Sequence, residues 1–303
     1  MSGLKVLVTG AGGFLGSHLC RRLSQNGSEV HAVSRRKHPT HDAGPRWWQG
    51  DLADTSTVRE LLTAIKPDII FHLASHVFGA RDLSLVMPTF RSNLMTTVNL
   101  LTVASEIGCR RLVLSGSLEE PEPGDPQAIP SSPYAVAKWS SNAYARMFNA
   151  LYQLPVVILR VFMVYGPEQQ DLQKLVPYVI LSLLRGETPK LTSGQREVDW
   201  IYVEDVAQAF LLAGHAAGIE GSTIDIGSGE LVSIRSVVDH LVRLINPRIK
   251  PIFGALADRP LERVRIAEKE RTLAMIGWQP TTTLEDGLKR TVDWYRERLT
   301  DHP

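Results

Sequence analysis

Lys5-Val-Leu-Val-Thr-Gly10-Ala-Gly-Gly13-Phe14-Leu15-Gly16-Ser-His-Leu19 runs from an apolar segment through four glycines into a second apolar segment. Val6 to Val8 is a short apolar run of strand type that ends at once in a glycine cluster. After Gly16 the apolar residues Leu19 and Leu23 fall at helical spacing. Strand, glycine turn, helix is the order in which backbone N–H groups and the positive end of a helix dipole meet a pyrophosphate. Gly10 is expected to make the tight turn, Gly13 to let the backbone approach phosphate, and Gly16 to let the helix pack on the strand. The alternative is a glycine turn between a core strand and a core helix with no ligand, and the downstream segments of the chain have to decide between them.

Outward from this stretch the pattern repeats. Glu29 to Val33 reads as a second strand, followed directly by Ser34-Arg35-Arg36. At that junction a carboxylate accepts from the 2′-OH of NAD, whereas arginine accommodates the 2′-phosphate of NADP. No carboxylate occurs before Asp42, so this place is read for NADP(H), with NAD as the alternative. Trp47-Trp48-Gln49 reads as a third strand running into Gly50-Asp51-Leu52, and Thr57 to Ile65 as a helix stopped by Lys66-Pro67. Ile69 to Ala74 is a fourth strand; His72 within it is read as a satisfied core histidine. Asn93 to Ile107 is a helix ending at Gly108, and the strand Arg111 to Leu114 runs into Ser115-Gly116-Ser117. Strands this apolar, alternating with helices, predict an α/β fold, a doubly wound parallel (Rossmann) sheet with helices on both faces. Its ligand crevice lies outside the carboxyl ends of the strands, where Gly10, Ser34, Asp51, Ala74 and Ser117 converge.

A proline-rich loop from Glu119 to Pro133 leads into Tyr134-Ala-Val-Ala-Lys138, the start of a helix to about Tyr152 with Ser132 as its cap. One turn separates Tyr134 from Lys138, so both project from one face. An ammonium beside a phenol favours the phenolate and lowers its pKa. With a serine hydroxyl at the neighbouring strand end, the trio suits proton transfer at a hydroxyl that gains or loses hydride.

The composition of the 303 residues is ordinary for a soluble globular protein, at 44% hydrophobic and 21% charged. A net charge of +1 offers no field for nucleic acid or an anionic membrane, so neither is expected as a partner. Cys20 and Cys109 are read as buried free thiols of a reducing compartment. With no long apolar run and no basic-then-apolar start, a cytoplasmic protein is expected.

These motifs resemble the extended short-chain dehydrogenase/reductases, in particular the nucleotide-sugar epimerases, dehydratases and 4-ketoreductases, nearly end to end. Thr9 to Gly16 resembles the family's T-G-x-x-G-F-x-G loop, Gly50-Asp51-Leu52 its adenine-contacting G-D-L, and His72-Leu73-Ala74-Ser75 its H-L-A-A strand. Asn93 and Asn99 match its N-x-x-G-T-x-N-L-L helix, and Ser132-Pro-Tyr134-x-x-x-Lys138 its active-site helix. Leu159-Arg160…Tyr165-Gly166-Pro167, Asp199 to Ala207, Asp225 to Gly229 and Gly277 to Pro280 resemble its later signatures. The resemblance implies catalytic roles for Ser117, Tyr134 and Lys138. It implies cofactor contacts from the Gly10–Gly16 loop, Ser34, Arg35, Arg36, Asp51, Leu52, Leu73, Ala74, Ser75, Ser115, Tyr134, Lys138 and Val161, with Lys138 holding the nicotinamide ribose. It further implies substrate contacts from Ser117, Met163, Lys174, Arg196 and Arg259, the cations holding a diphosphate. Where the dehydratases place an acid and a base after the catalytic hydroxyl, this chain has Leu118 and Glu119; Glu119 is a lesser candidate base.

The expected organisation is a cofactor domain of residues 1–166 and 198–229, and a nucleotide-sugar lobe of residues 167–197 and 230–303. The leading functional expectation is an NADP(H)-dependent reductase of a 4-keto-6-deoxy nucleotide sugar. The alternative is a 4-epimerase or 4,6-dehydratase that recycles NAD(P) internally, and a third is a non-catalytic nucleotide-binding member of the fold. The resemblance also implies a homodimer through the helices Asn93–Ile107 and Tyr134–Tyr152, with Ala104, Ala143 and Met147 as contacts.

Overall fold

The computed structural model describes residues 3–38, 44–121, 128–262 and 264–301; Asp42, Pro123 and Pro126 fall outside them. In chain order the elements are β1 (Lys5–Thr9), α1 (Phe14–Gln25), β2 (Glu29–Ser34), β3 (Arg46–Gln49), α2 (Thr55–Ile65) and β4 (Ile69–His72). A short helix, α3 (Val86–Thr89), passes through a π-helical turn (Phe90–Met95) into α4 (Thr96–Ile107), then come β5 (Arg111–Ser117), α5 (Pro133–Tyr152) and β6 (Val156–Val161). The chain continues with β7 (Met163–Tyr165), α6 (Leu175–Leu184), β8 (Glu197–Tyr202), α7 (Val203–Ala213) and β9 (Thr223–Ile226). It ends with β10 (Leu231–Ser233), α8 (Ile234–Ile245), α9 (Lys269–Ile276) and α10 (Leu284–Asp301).

Two compact units result. The first runs through Val161 and takes back Ala207–Asp225 and Glu270–Trp278. Its seven-stranded sheet has the order β3-β2-β1-β4-β5-β6-β9, with every pair from β3 to β6 parallel. The order reverses between β1 and β4, which opens the crevice at their carboxyl ends. Between the sheet and α2, α4 and α5 lies a core that includes Leu7, Leu62, Leu100, Leu112 and Ile158, all fully buried. Local chemistry sets the boundaries. Asp54 caps α2 by accepting from Ser56 and Thr57 N–H, Lys66 ends it in the left-handed region at φ 49°, and Ser132 caps α5 by accepting from Ala135 N–H at 3.1 Å.

The second unit holds Phe162–Val206, Ile226–Lys269 and the chain from Gln279. This corrects the expected boundaries. Met163–Tyr165 pairs in parallel with Trp200–Tyr202, and β10 pairs antiparallel with β8, so β8 belongs to a separate three-stranded sheet rather than to the cofactor domain. Asp199 organises this unit, accepting from the N–H groups of Ser228, Gly229 and Ala267. Asp205 receives the Thr281 hydroxyl and the Thr282 N–H.

A second correction concerns Ala104. It is 1% exposed within the core of its own unit and is unavailable to a partner. Met147 is partly buried against the same core, whereas Ala143 is exposed. Asn93, expected to open a helix, lies instead in the π-helical turn.

At Gly16 an added Cβ would stand 2.1 Å from the Gly10 carbonyl oxygen, which is backbone and cannot yield. Gly16→Ala is therefore expected to cost about 1–3 kcal/mol of stability. Chemical denaturation reads this directly, and an unchanged midpoint would refute the close-packing account.

Candidate active site

The carboxyl ends of β1 and β4 are joined by one side chain. Thr9 Oγ1 accepts from the N–H of Leu73 at 3.2 Å and of Ala74 at 3.1 Å, and lies 2.7 Å from His72 Nδ1. Since Thr97 gives its hydroxyl to the Asn93 carbonyl, His72 Nε2 donates to Thr97 Oγ1 and Nδ1 accepts from Thr9. Burial pushes the His72 pKa down to about 3, so it is the neutral core histidine expected. Gly10 has φ +69°, and a Cβ there would lie 2.7 Å from Ala74 N. The turn is thus closed to any other residue.

Around this junction two asparagines hold the crevice loops. Asn93 accepts from His76 N–H and donates to the His76 carbonyl. Asn99 donates to the Leu52 carbonyl and accepts from Thr55. Asp51 accepts from Ala53 N–H and pairs with Arg91 at 3.0 Å. The Leu52 side chain is in the core, so this residue shapes the loop. Ser34 Oγ accepts from Arg36 N–H, and the Arg35 carbonyl accepts from Gln49; both arginines are exposed. His38 stacks on Trp47 at 3.7 Å beside Gly12, a placement that the sequence reading did not foresee.

This crevice fits a dinucleotide. Helix α1 begins at Gly13 with no side-chain cap and no acid in its first turn, leaving its first N–H groups for an anion beside the half-buried Phe14 and Leu15. The Ser75 hydroxyl, just past β4, is buried with no hydrogen-bond partner among the described residues.

At the end of β5 the three expected reacting residues come together, all buried. The Ser117 hydroxyl acts on the Tyr134 phenol and favours its ionised form, and Ser117 Oγ accepts from Glu119 N–H at 3.2 Å. Lys138 Nζ donates to the Ser115 carbonyl at 2.8 Å and to Ser115 Oγ at 3.1 Å, and lies 5.9 Å from the Tyr134 ring centroid. Burial pulls the Lys138 pKa down to about 8, opposed by the Glu120 carboxylate. Tyr134 differs from expectation. Burial raises its pKa, Glu119 and Glu120 raise it further, and the Ser117 hydrogen bond opposes them. Lys138, committed to Ser115, does not pull the phenol toward neutrality, so Tyr134 is a protonated donor.

Leu118 is buried, and its N–H donates to the Val161 carbonyl at the end of β6. Glu119 is half-buried, 3.5 Å from the Ser132 hydroxyl. The sequence reading named Glu119 and did not consider Glu120, but Glu120 is the residue folded against the site. The available signal was Gly116, whose missing Cβ makes room for the Glu120 carboxylate. Apart from Ser117, the expected substrate contacts lie in the second unit: Met163 on β7, Lys174 at the start of α6, Arg196 paired with Glu262 at 3.1 Å, and the exposed Arg259. Among the described residues no His, Cys, Asp or Glu cluster could hold a metal, and no helix is long and apolar enough to cross a membrane.

The Lys138 shift has a measurable consequence. The lysine titrates near 10.5 in the unfolded chain and near 8 when folded, so between these values the unfolded state holds more protons and stability rises with pH. From pH 8 to 10 the wild type should therefore gain stability relative to Lys138→Met, read as the difference of denaturation midpoints. A constant difference contradicts the buried ammonium.

The comparisons with known proteins agree with this geometry. The model of the "NAD dependent epimerase/dehydratase family" matches residues 6–227. The UDP-glucose 4-epimerase of Mycolicibacterium smegmatis is 31% identical over 316 residues, covering 97% of this chain and 99% of the relative. The crystal structure of UDP-glucose 4-epimerase from Thermotoga maritima with UDP-glucose matches with a TM-score of 0.89 at 26% identity, over 98% of this chain and all of that one. MoeE5 in complex with UDP-glucuronic acid and NAD matches at 0.85 and 30% identity, over 97% of this chain and 99% of that one. The chain belongs to the NAD dependent epimerase/dehydratase family, as an enzyme of the short-chain dehydrogenase type within its nucleotide-sugar group.

Proposed function

We propose that this enzyme is a nucleotide-diphosphate-sugar 4-epimerase whose substrate is a UDP-hexose and whose NAD(P) is recycled within each turnover. The observation that carries this reading is the buried Ser117–Tyr134 pair with Leu118, a side chain that cannot act as an acid, at the position after Ser117. Leu118 stands where elimination needs an acid, and Glu119 faces the Ser132 hydroxyl. That argues for proton and hydride movement at one carbon and against loss of water from the next.

When bound, the nicotinamide supplies reversible hydride acceptance at C4. The Gly10–Gly16 loop and the start of α1 hold the pyrophosphate, Ser34, Arg35, Arg36 and Asp51 the adenosine end, and Ser75, Ser115, Val161 and Lys138 the nicotinamide end. Ser117 orients the C4 oxygen. For this step Tyr134 must first give up its own proton; as the phenolate it accepts the C4 hydroxyl proton while the carbonyl forms, and as the phenol it returns it when the alcohol is restored on the other face. Met163, Lys174, Arg196 and Arg259 are assigned to the nucleotide-sugar side. The NADP(H)-dependent 4-keto-sugar reductase becomes the second reading, favoured by one observation: Arg35 and Arg36 are exposed directly after β2, with no carboxylate from Ser34 to His38.

We assign the homodimer contact to α5 and α3. Val136, Trp139 and Tyr144 of α5, with Val86, Met87 and Phe90, are exposed there. A monomer in sedimentation at micromolar concentration overturns this.

Cofactor analysis separates the two readings. Protein denatured after purification should release NAD(P) in stoichiometric amount, and the intact protein should convert UDP-glucose to its C4 epimer without added reductant. Protein that arrives empty, binds NADPH at least tenfold tighter than NADH and consumes it stoichiometrically with a 4-keto sugar nucleotide overturns the epimerase in favour of the reductase. Tyr134→Phe should lower turnover by about 10²–10⁴-fold with nucleotide-sugar affinity kept; turnover within tenfold of wild type removes Tyr134 from the chemistry.

A further inference from the structure

Glu120 takes no part in the proposed movement of proton and hydride, yet it is only 3% exposed. The turn after β5 brings it back on itself: its N–H donates to the Ser117 carbonyl, and its carboxylate accepts the Ser117 N–H at 2.5 Å. The other carboxylate oxygen accepts from Asn142 Nδ2. A Cβ on Gly116 would lie 2.8 Å from Glu120 Oε1, so the glycine between the two serines leaves the space this side chain occupies. Burial pushes the Glu120 pKa up, and the Ser117 N–H, Arg160, the Asn142 amide and Lys138 oppose it; both oxygens face N–H donors, the arrangement of an ionised carboxylate.

Asn142 comes four residues after Lys138 and eight after Tyr134, so all three lie on the buried face of α5. Glu120 therefore grips the strand end carrying Ser117 and the helix carrying the other two. The neighbouring charged and titratable groups have partners of their own. On β6, Arg160 also acts on Glu120 and pairs with Asp225 of β9 at 2.7 Å. On β4, His72 is neutral and held by Thr9 and Thr97. Glu119 lies by Ser132, and Tyr134 is a neutral phenol. Glu120 is the carboxylate whose charge favours the Lys138 ammonium.

Resting on the assignment of Ser117, Tyr134 and Lys138 as the reacting trio, we propose that Glu120 is the positioning residue of this site. Its carboxylate ties the Ser117 end of β5 to α5 and supplies the negative charge that keeps Lys138 ionised.

Glu120→Gln separates charge from shape. The amide keeps an oxygen for the Ser117 N–H, and its NH₂ can donate to Asn142 Oδ1, an atom now buried without a hydrogen-bond partner among the described residues, once the Asn142 amide turns over. The readout is the titration of Lys138 by NMR in protein labelled with ε-¹³C-lysine, the resonance assigned with Lys138→Arg. The wild-type midpoint is expected near pH 8. In folded Glu120→Gln it should fall by about one pH unit or more. An unmoved midpoint in the folded variant overturns the proposal, since loss of a merely structural contact would lower the melting temperature and leave the titration in place. If Glu120→Gln does not fold, Glu120→Asp decides. It keeps the charge, so Lys138 must titrate near its wild-type midpoint, and a midpoint displaced to low pH there is the contrary result. The titration uses no substrate, so failure to turn over a UDP-hexose counts against the proposed function and leaves this assignment standing.

Discussion

Lys138 is a charged side chain at 5% exposure, and the active end of the molecule is built around satisfying it. Its pKa near 8 instead of 10.5 corresponds to about 3 kcal/mol against the charged form. The ammonium survives because the Ser115 carbonyl and hydroxyl accept from it and a buried carboxylate stands close by. Those acceptors sit on β5, whereas the lysine sits on α5. Meeting the lysine's needs therefore fixes the helix on the strand end. Tyr134, one turn earlier on the same face, is carried against Ser117 by the same constraint.

The cofactor side depends on a second close contact, between the ends of β1 and β4. Thr9 ties the backbone of Leu73 and Ala74, and Gly10 turns within a distance of Ala74 that no Cβ would allow. Asn93 and Asn99 then pin the loops after β4 and β3. A crevice framed by backbone and short polar side chains is stiff where a dinucleotide lies. In the proposed reading the exposed Arg35 and Arg36, directly after β2, set the choice between NAD and NADP.

Much of this was legible in the sequence because period and spacing are local. The alternation of apolar strands with helices gave the parallel sheet, and the Tyr134–Lys138 interval placed both side chains on one helix face. What was not legible depends on how a turn folds back. Glu119 and Glu120 are adjacent and chemically alike, and only the reversal after Ser117 decides which one is buried against Asn142. The domain boundary failed for a related reason: Asp199-Trp-Ile-Tyr reads as one more strand of the large sheet, and only its pairing with Met163–Tyr165 assigns it to the second unit. The phenol was misjudged because a lysine one turn away can spend its donors elsewhere, here on Ser115.

An epimerase of this kind takes hydride from one carbon of a bound sugar and returns it to the same carbon. The most direct measurement uses UDP-glucose deuterated at C4, carried through turnover, and locates the label. Epimerisation at C4 predicts deuterium retained at C4 of the inverted sugar, with none in an added pool of free NAD(P). Label passing into the free cofactor pool, or appearing at C6 of a dehydrated product, would contradict it.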